Sequence, residues 1–195
     1  DVKGVDFPVK NSAKKVEGAE LEDYRNTLRI LNQQKYYGYW DDIPSYFDTA
    51  TKEGDLVSTT NINIGDGSDL LGDNFSYRWD GFITPAAAGT YYFKTRSDDA
   101  SAVYINDNMI VDNLGKHDAT LEQEGSVTLT AATYTIAVYY GEHTGGEMMK
   151  LWWKGGTQSS YTQTLGTEFS VAEPGSVWRN VNHASYPEIY VNFDD

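Results

Sequence analysis

Alternation of apolar and polar residues is the dominant pattern along the chain. In TYTIAVYY, residues 133–140, every second side chain is large and apolar, which is the period of a half-buried β-strand. Similar segments recur as KYYGYW, FSYRWDGFI, TYYFKTRS, SAVYI, MIVDN, SVTLT and MMKLWWK. The Asn106-Asp107-Asn108 triplet between SAVYI and MIVDN is typical of a tight hairpin. Eight or more short strands predict an all-β fold, a sandwich or a barrel, with Trp79 and either Trp152 or Trp153 in its core.

The N-terminal part has a different pattern. Its first 20 residues are polar and irregular, whereas apolar residues recur every three or four positions from Leu21 to Leu31. That spacing predicts a short helix within residues 19–34. We therefore expect residues 1–34 to form an arm and short helix that pack on the body, and residues 35–195 to form the β domain, the two parts together making one structural domain.

The overall charge narrows the possible partners. The chain carries 29 acidic and 15 basic residues, a net charge of −14, and no cysteine. This balance argues against nucleic acid and against an anionic membrane surface, and it suits hard cations such as Ca²⁺. The absence of cysteine excludes disulfides and cysteine-based zinc sites, and no apolar run is long enough to span a membrane. The start DVKGVDFPVK lacks an initiator Met, so we expect a mature protein or a module of a larger one.

Vicinal aspartates are the first candidate chemistry. The pair at 41–42 precedes Ile-Pro and is best explained as a turn, and the pair at 194–195 ends the chain. Asp98-Asp99 differs because it lies between two predicted strands. Adjacent carboxylates repel unless a divalent cation binds both, and they can share one ion only if the backbone departs from strand geometry, for example through a cis peptide. The residues alone leave a metal site and a solvated strand end both open.

Two loops could add ligands. GEHTGGE, residues 141–147, is long for a hairpin and contains three glycines, which allow backbone carbonyls to turn towards an ion. The alternative for it is a flexible hairpin tip. NIGDGSDLLGDN, residues 63–74, has several acidic residues but not the EF-hand spacing, so a plain turn cluster is favoured over a structural calcium site.

Four segments, taken in order, resemble the PA14 family. They are FSYRWDGFI, YYFKTRSDD, SAVYIND and TYTIAVYYGEH before a glycine-rich loop, and the resemblance covers roughly residues 35–155. It implies a PA14-type β-sandwich or barrel with one or two short helices. Its pattern is most similar to the calcium-dependent lectin modules of bacterial RTX-type adhesins, in which both carboxylates of a cis Asp-Asp pair hold one Ca²⁺ and the sugar joins through two vicinal hydroxyls.

Carried over to this sequence, the resemblance implies specific site residues. Yeast adhesins of the family place an Asn side chain in the second loop, and this loop has none, so backbone carbonyls are expected there instead. The implied metal ligands are Asp98, Asp99 and the carbonyls of His143 and Gly145. The implied sugar contacts are Asp98, Asp99, Thr144, Gly146 and Glu147.

The resemblance also implies a context. By this resemblance we expect the chain to be an extracellular, non-enzymatic adhesin module whose partners are cell-surface glycans and the flanking domains of a larger adhesin. Two alternatives remain. One is a structural spacer without a working sugar site. The other is a glycoside hydrolase or a domain associated with one, since two acidic residues at a suitable separation suffice for hydrolysis.

Overall fold

The computed structural model describes residues 30–66 and 71–171, and the regular structure of this part is almost wholly β-strand. Within these two ranges a single short helix, α1, spans Tyr46–Thr49. The strands, numbered in chain order, are β1 (Leu31–Tyr37), β2 (Lys52–Thr59), β3 (Asn63–Gly65), β4 (Phe75–Ile83), β5 (Gly89–Asp98), β6 (Ala100–Ile105), β7 (Asn108–Asn113), β8 (Glu122–Leu129), β9 (Tyr134–Glu142), β10 (Met148–Gly155), β11 (Gln158–Thr162) and β12 (Phe169–Ser170). The part of the chain that the structure describes contains no helix long and apolar enough to cross a membrane.

Two antiparallel sheets enclose the core. The first has the order β2-β1-β4-β9-β6-β7 with β12 beside β4, and the second has the order β11-β10-β5-β8 with β3 beside β10. Alternate residues of both sheets face each other and are buried, including Trp79, Phe93, Val138, Leu151 and Trp153. The predicted all-β sandwich is confirmed, and so is the core position of Trp79 and Trp153, whereas Trp152 lies on the outer face and is partly exposed.

A second apolar cluster covers the outside of the first sheet. Phe47 of α1 packs against the rings of Tyr36, Trp40 and Tyr139. This cover explains why every residue of β6 is buried although strands of a two-layer sandwich usually expose one face.

The helix predicted within residues 19–34 does not extend over its last positions. Leu31–Tyr37 is β1, which pairs with both β2 and β4. Its pairing with β2 is irregular between Gln33 and Lys35, so burial falls at Leu31, Gln34 and Tyr36 rather than at every second residue. The helix was predicted from the apolar spacing between Leu21 and Leu31, and its extension over residues 31–34 is wrong because Leu31 begins a strand. The rest of that segment and the arm lie outside the described residues, and the proposed boundary at residue 34 falls inside β1.

Two connections between the sheets meet at one end of the sandwich. β5 belongs to the second sheet and β6 to the first, so the chain crosses between sheets at Asp98-Asp99. The chain crosses back between β9 and β10, through residues 143–147. Pairing of Met148 with Asp98 and of Ala100 with Gly141 places these two crossings side by side. The tight hairpin predicted at Asn106-Asp107-Asn108 also forms, with positive φ at its first two residues.

Candidate functional site

Three carboxylates converge at this corner. The Asp98-Asp99 peptide bond is cis, and one oxygen from each of Asp98, Asp99 and Glu142 lies within 4.8 Å of the others. Asp98 ends β5, Asp99 is the single residue between β5 and β6, and Glu142 is the last residue of β9. The corner therefore combines the end of one strand from the second sheet with the end of one from the first.

Asp99 attaches two loops to the corner. It is 6% exposed, its Oδ1 accepts the backbone N–H of His117 at 3.1 Å and its Oδ2 accepts the backbone N–H of His143 at 2.9 Å. Asp99 thus fixes the start of the loop at residues 143–147 and the loop between β7 and β8 relative to the pair.

Glu142 is the most deeply placed of the three. It is 0% exposed, its Oε2 lies 3.1 Å from the Tyr140 hydroxyl, and its Oε1 has no hydrogen-bond partner among the described residues. The Tyr140 hydroxyl donates to the carbonyl of Asp98 at 2.6 Å. Burial, followed by the charges of Asp99 and Asp98, raises the pKa of Glu142 to about 8. Burial and the charge of Asp99 also raise the pKa of Asp98.

The donor set at the corner fits a hard divalent cation. Of the ion pairs formed within the described part of the chain, none includes these three carboxylates. A buried carboxylate with an unpartnered oxygen is costly, and a cation beside it removes that cost. All the side-chain donors are oxygens, which calcium prefers. Asp98, Asp99 and Glu142 could therefore hold Ca²⁺ together.

The loop predicted to complete the shell lies against this cluster. His143 is partly exposed and its carbonyl accepts the N–H of Asn74 at 3.0 Å, so one of the two lone pairs of that oxygen is already used. Gly145 has φ +105, a conformation that favours glycine, and its N–H donates to Asp73 Oδ1 at 3.1 Å. Thr144 and Gly145 are exposed and Gly146 is partly exposed.

Glu147 differs from the rest of this loop. Its side chain is 0% exposed, and its Oε1 accepts the N–H of Leu71 at 3.1 Å. Direct contact between Glu147 and a sugar stays a prediction, and it is not supported by the burial of this side chain. The acidic segment at residues 63–74 is described only in part, and Asp69 lies outside the described residues. Asp73 accepts the N–H of Gly145 and so holds the tip of the loop at residues 143–147.

A buried polar network supports the aspartate pair from below. Asn113 Nδ2 donates to Ser97 Oγ at 3.0 Å and to Ser101 Oγ at 3.3 Å, and the two serine oxygens are 2.7 Å apart. Ser101 also donates to Thr95 Oγ1 at 3.0 Å. Because the serines lie on either side of Asp98-Asp99, the network fixes both ends of the turn.

Sequence reasoning missed two of these residues as parts of the site. Glu142 continues the alternation of Tyr134, Ile136, Val138 and Tyr140, so the period-two pattern itself places its carboxylate on the buried face. A carboxylate at an inward position of a strand is a signal for a site. Asn113 carried no such signal, because its role depends on pairing between β6 and β7.

At the rim of the site, an aromatic ring and a cation lie beside the loop. The ring of Tyr39 packs edge-on against His143, with centroids 5.2 Å apart, and Lys116 Nζ lies 5.5 Å from the centre of the Tyr39 ring. Burial and the nearby carboxylates of Asp41, Asp99 and Glu142 raise the pKa of Tyr39, which therefore stays neutral. These groups give the rim both an apolar surface and a positive charge.

Comparison with known proteins agrees with this architecture. The curated anti-sigma-I factor RsgI3 of Acetivibrio thermocellus is 28% identical over 86 residues, which is 44% of this chain and 13% of that protein. The chain thus spans only a small part of the curated relative it matches.

Several solved structures share the fold. The PA14 sugar-binding domain of an RTX adhesin has a TM-score of 0.58 and 16% identity over 74% of this chain and 98% of that one. The A domain of epithelial adhesin 6 from Candida glabrata, solved with Galβ1-3GlcNAc, has a TM-score of 0.58 and 16% identity over 73% of this chain and 87% of that one. The PA14 domain family matches residues 31–166, most of the sequence, and the chain belongs to that family.

Proposed function

We propose that the chain is a calcium-dependent carbohydrate-binding module of an exported protein. The observation that carries this proposal is the convergence of three carboxylates at a corner bordered by an exposed loop, one of them with a buried oxygen that has no hydrogen-bond partner within residues 30–66 and 71–171. Sugar binding by the RTX adhesin domain and by the Candida glabrata adhesin supports it, since both share the fold.

The residues of the corner have different tasks in this proposal. Asp98, Asp99 and Glu142 hold the ion, and the carbonyls of His143 and Gly145 complete its shell. When bound, Ca²⁺ supplies a positive charge with coordination positions that two adjacent sugar hydroxyls can fill. Because Asp99 already accepts two backbone N–H groups, it orients the loop before any ligand arrives, which lowers the entropic cost of binding.

In this proposal the residues at the rim of the corner determine which sugars bind. Thr144 and Gly146 of the exposed loop and the ring of Tyr39 surround the cluster and would contact sugar substituents beyond the two hydroxyls. A single shallow site of this kind binds weakly, so multivalent display on a larger surface protein would supply avidity. The adhesin context, the flanking domains and the extracellular location are parts of the same proposal.

The test combines calorimetry with a glycan array. Calcium titration and array binding are measured for the wild type, for Asp98→Asn/Asp99→Asn, and for Asp41→Asn/Asp42→Asn, which removes the same charge from a vicinal pair elsewhere. We expect the wild type and the 41–42 variant to bind calcium and then glycans, and the 98–99 variant to bind neither.

The outcomes separate the alternatives. Calcium binding without any glycan binding would reject the lectin and favour a structural spacer. Hydrolysis of a bound oligosaccharide, measured as the release of new reducing ends, would show that the module is an enzyme. Equal glycan binding in chelator would remove calcium from the mechanism.

A further inference from the structure

The outer face of the second sheet carries a regular set of basic and aromatic side chains. On β5 and β10, the directly paired residues are Arg96 with Lys150, Lys94 with Trp152, and Tyr92 with Lys154. Successive residues of a strand point to opposite faces, and the positions between these are buried in the core. All six side chains therefore share the outward face, and we call these six residues the basic-aromatic strip.

The rings and ammonium groups of the strip hold one another in place. Lys94 Nζ lies 5.0 Å from the centre of the Trp152 ring, and Lys154 Nζ lies 4.5 Å from that of Tyr92. Tyr161 of β11 lies across both lysines, with its ring centre 4.9 Å from Lys94 Nζ and 4.3 Å from Lys154 Nζ. These contacts reduce the rotamer freedom of long side chains, so a ligand that binds there has less side-chain entropy to remove.

The charge of this face is opposite to that of the chain. The net charge is −14, yet four of the eight lysines and arginines in the described part of the chain belong to the strip. Two carboxylates on the adjacent strand offset part of it, since Glu122 pairs with Lys94 at 2.9 Å and Glu124 accepts the Tyr161 hydroxyl. A net positive charge remains on this face, which would attract anions locally.

The strip also leads to the carboxylate corner. Asp98 is the next outward residue of β5 after Arg96, and it pairs with Met148 of β10. At about 3.4 Å per residue, the outward positions from Asp98 to Tyr92 extend roughly 20 Å. A row of outward side chains of this length can contact several successive units of an extended chain, which is more than a single small molecule spans.

We propose that the basic-aromatic strip binds a linear acidic polysaccharide, with its sugar carboxylates against the lysines and Arg96 and its sugar rings against Trp152, Tyr92 and Tyr161. Carboxylates match ammonium and guanidinium donors, and the apolar faces of sugar rings pack on aromatic side chains. A more densely charged polyanion such as nucleic acid is disfavoured, because the rest of the chain would repel it. This site is additional to the calcium corner and does not depend on it.

The experiment uses alginate oligosaccharides in chelator at low ionic strength. Chelator keeps the corner free of calcium, so only the strip is tested. Calorimetry compares the acidic oligosaccharides with the same oligosaccharides after esterification of their carboxylates. The variants are Lys94→Gln, Lys154→Gln and Trp152→Ala, each checked by thermal unfolding.

Lys35→Gln is the matched control. Lys35 is 22% exposed, pairs with Glu53 at 3.0 Å and lies 4.7 Å from the Phe75 ring, but it belongs to the first sheet. Lys94 is 21% exposed and has an equivalent pair of contacts. Both substitutions remove one charge from the same chemical setting, so a difference between them reports the location of the ligand.

We expect the wild type and Lys35→Gln to bind the acidic form at least tenfold more tightly than the esterified form. We also expect at least fivefold weaker binding by each strip variant, and loss of affinity as salt is added. Asp98→Asn/Asp99→Asn should retain this binding, which separates it from the calcium site. The proposal is overturned by equal binding of the esterified form, by equal effects of Lys35→Gln and Lys94→Gln, by wild-type affinity in Trp152→Ala, or by equal affinity for single-stranded polyuridine.

Discussion

Replacing Glu142 with glutamine should make the calcium-free protein more stable and the calcium-loaded protein less stable. Glutamine keeps the size of the side chain and can still bond the Tyr140 hydroxyl, but it cannot ionise. Glu142 is completely buried beside the aspartate pair, and burial followed by the charge of Asp99 raises its pKa from 4.5 to about 8. A raised carboxyl pKa means that the folded state binds the proton more tightly than the unfolded state does.

The sign and size of the effect follow from proton linkage. Without calcium, the free energy of unfolding of the wild type falls as pH rises from the unfolded-state pKa of 4.5 and levels off above the folded-state value of about 8. The loss attributable to Glu142 is on the order of 3 kcal/mol by pH 7. For a domain of this size, that corresponds to a melting temperature roughly 6–12 °C lower. Glu142→Gln lacks this loss, so its stability relative to the wild type increases with pH across the same range.

The assay is thermal and urea unfolding of both proteins between pH 4.5 and pH 8.5, with chelator and with saturating calcium. In calcium the order should reverse, because the wild-type carboxylate binds the ion, whereas the amide should lower calcium affinity by about tenfold or more. Parallel stability profiles of the two proteins in chelator would refute the linkage. A calcium affinity unchanged by the substitution would refute the role of Glu142 as a ligand.

Three further substitutions test the supports of the corner. Tyr140→Phe removes the hydroxyl that donates to the Asp98 carbonyl, and urea unfolding should show a loss of about 1–2 kcal/mol together with weaker calcium binding in calorimetry. Asn113→Ala leaves the two serines beside the aspartate pair without their amide donor, and the same measurements should show about 1–3 kcal/mol lower stability and reduced calcium affinity. Gly141→Ala would place a Cβ 1.8 Å from the carbonyl oxygen of Trp40, so circular dichroism should show a protein largely unfolded at 37 °C.

The sequence was sufficient for the strands with clean alternation. β5, β6, β7, β9 and β10 lie where their periodicity or β-rich composition places them, because each has a covered side and regular pairing. It was insufficient for β1, where the pairing irregularity at Gln33 and Lys35 breaks the period of two. Periodicity along a segment reflects which of its residues are buried. At a pairing irregularity the buried positions depend on the neighbouring strand, and the sequence of β1 alone does not show which strand that is.

The site was accessible only in part for a related reason. Asp98-Asp99 drew attention because it lies between two predicted strands, but the residues alone left a solvated strand end open, and the assignment as metal ligands came from the resemblance to the PA14 family. The alternation along β9 places the Glu142 side chain on the buried face, so this residue could have been found from the sequence. Its closeness to the aspartate pair could not, because it depends on the pairing of β6 with β9. Asn113 and Asp73 act through partners 12 or more positions away in sequence, so no local pattern indicated them.

The arrangement at the corner divides two tasks among three carboxylates. Asp99 accepts two backbone N–H groups and so fixes the loops, whereas Glu142 keeps an oxygen without a hydrogen-bond partner among the described residues, and Asp98 stands at the more exposed edge. If every carboxylate oxygen at the corner had all its lone pairs hydrogen-bonded, a cation would have to displace those bonds, and binding would be weak. If none had, the loops would have to become ordered on binding, at a cost in entropy. A corner in which Asp99 fixes the loops and Glu142 keeps a free buried oxygen among the described residues holds the loops in place and concentrates the unrelieved repulsion where a cation can remove it.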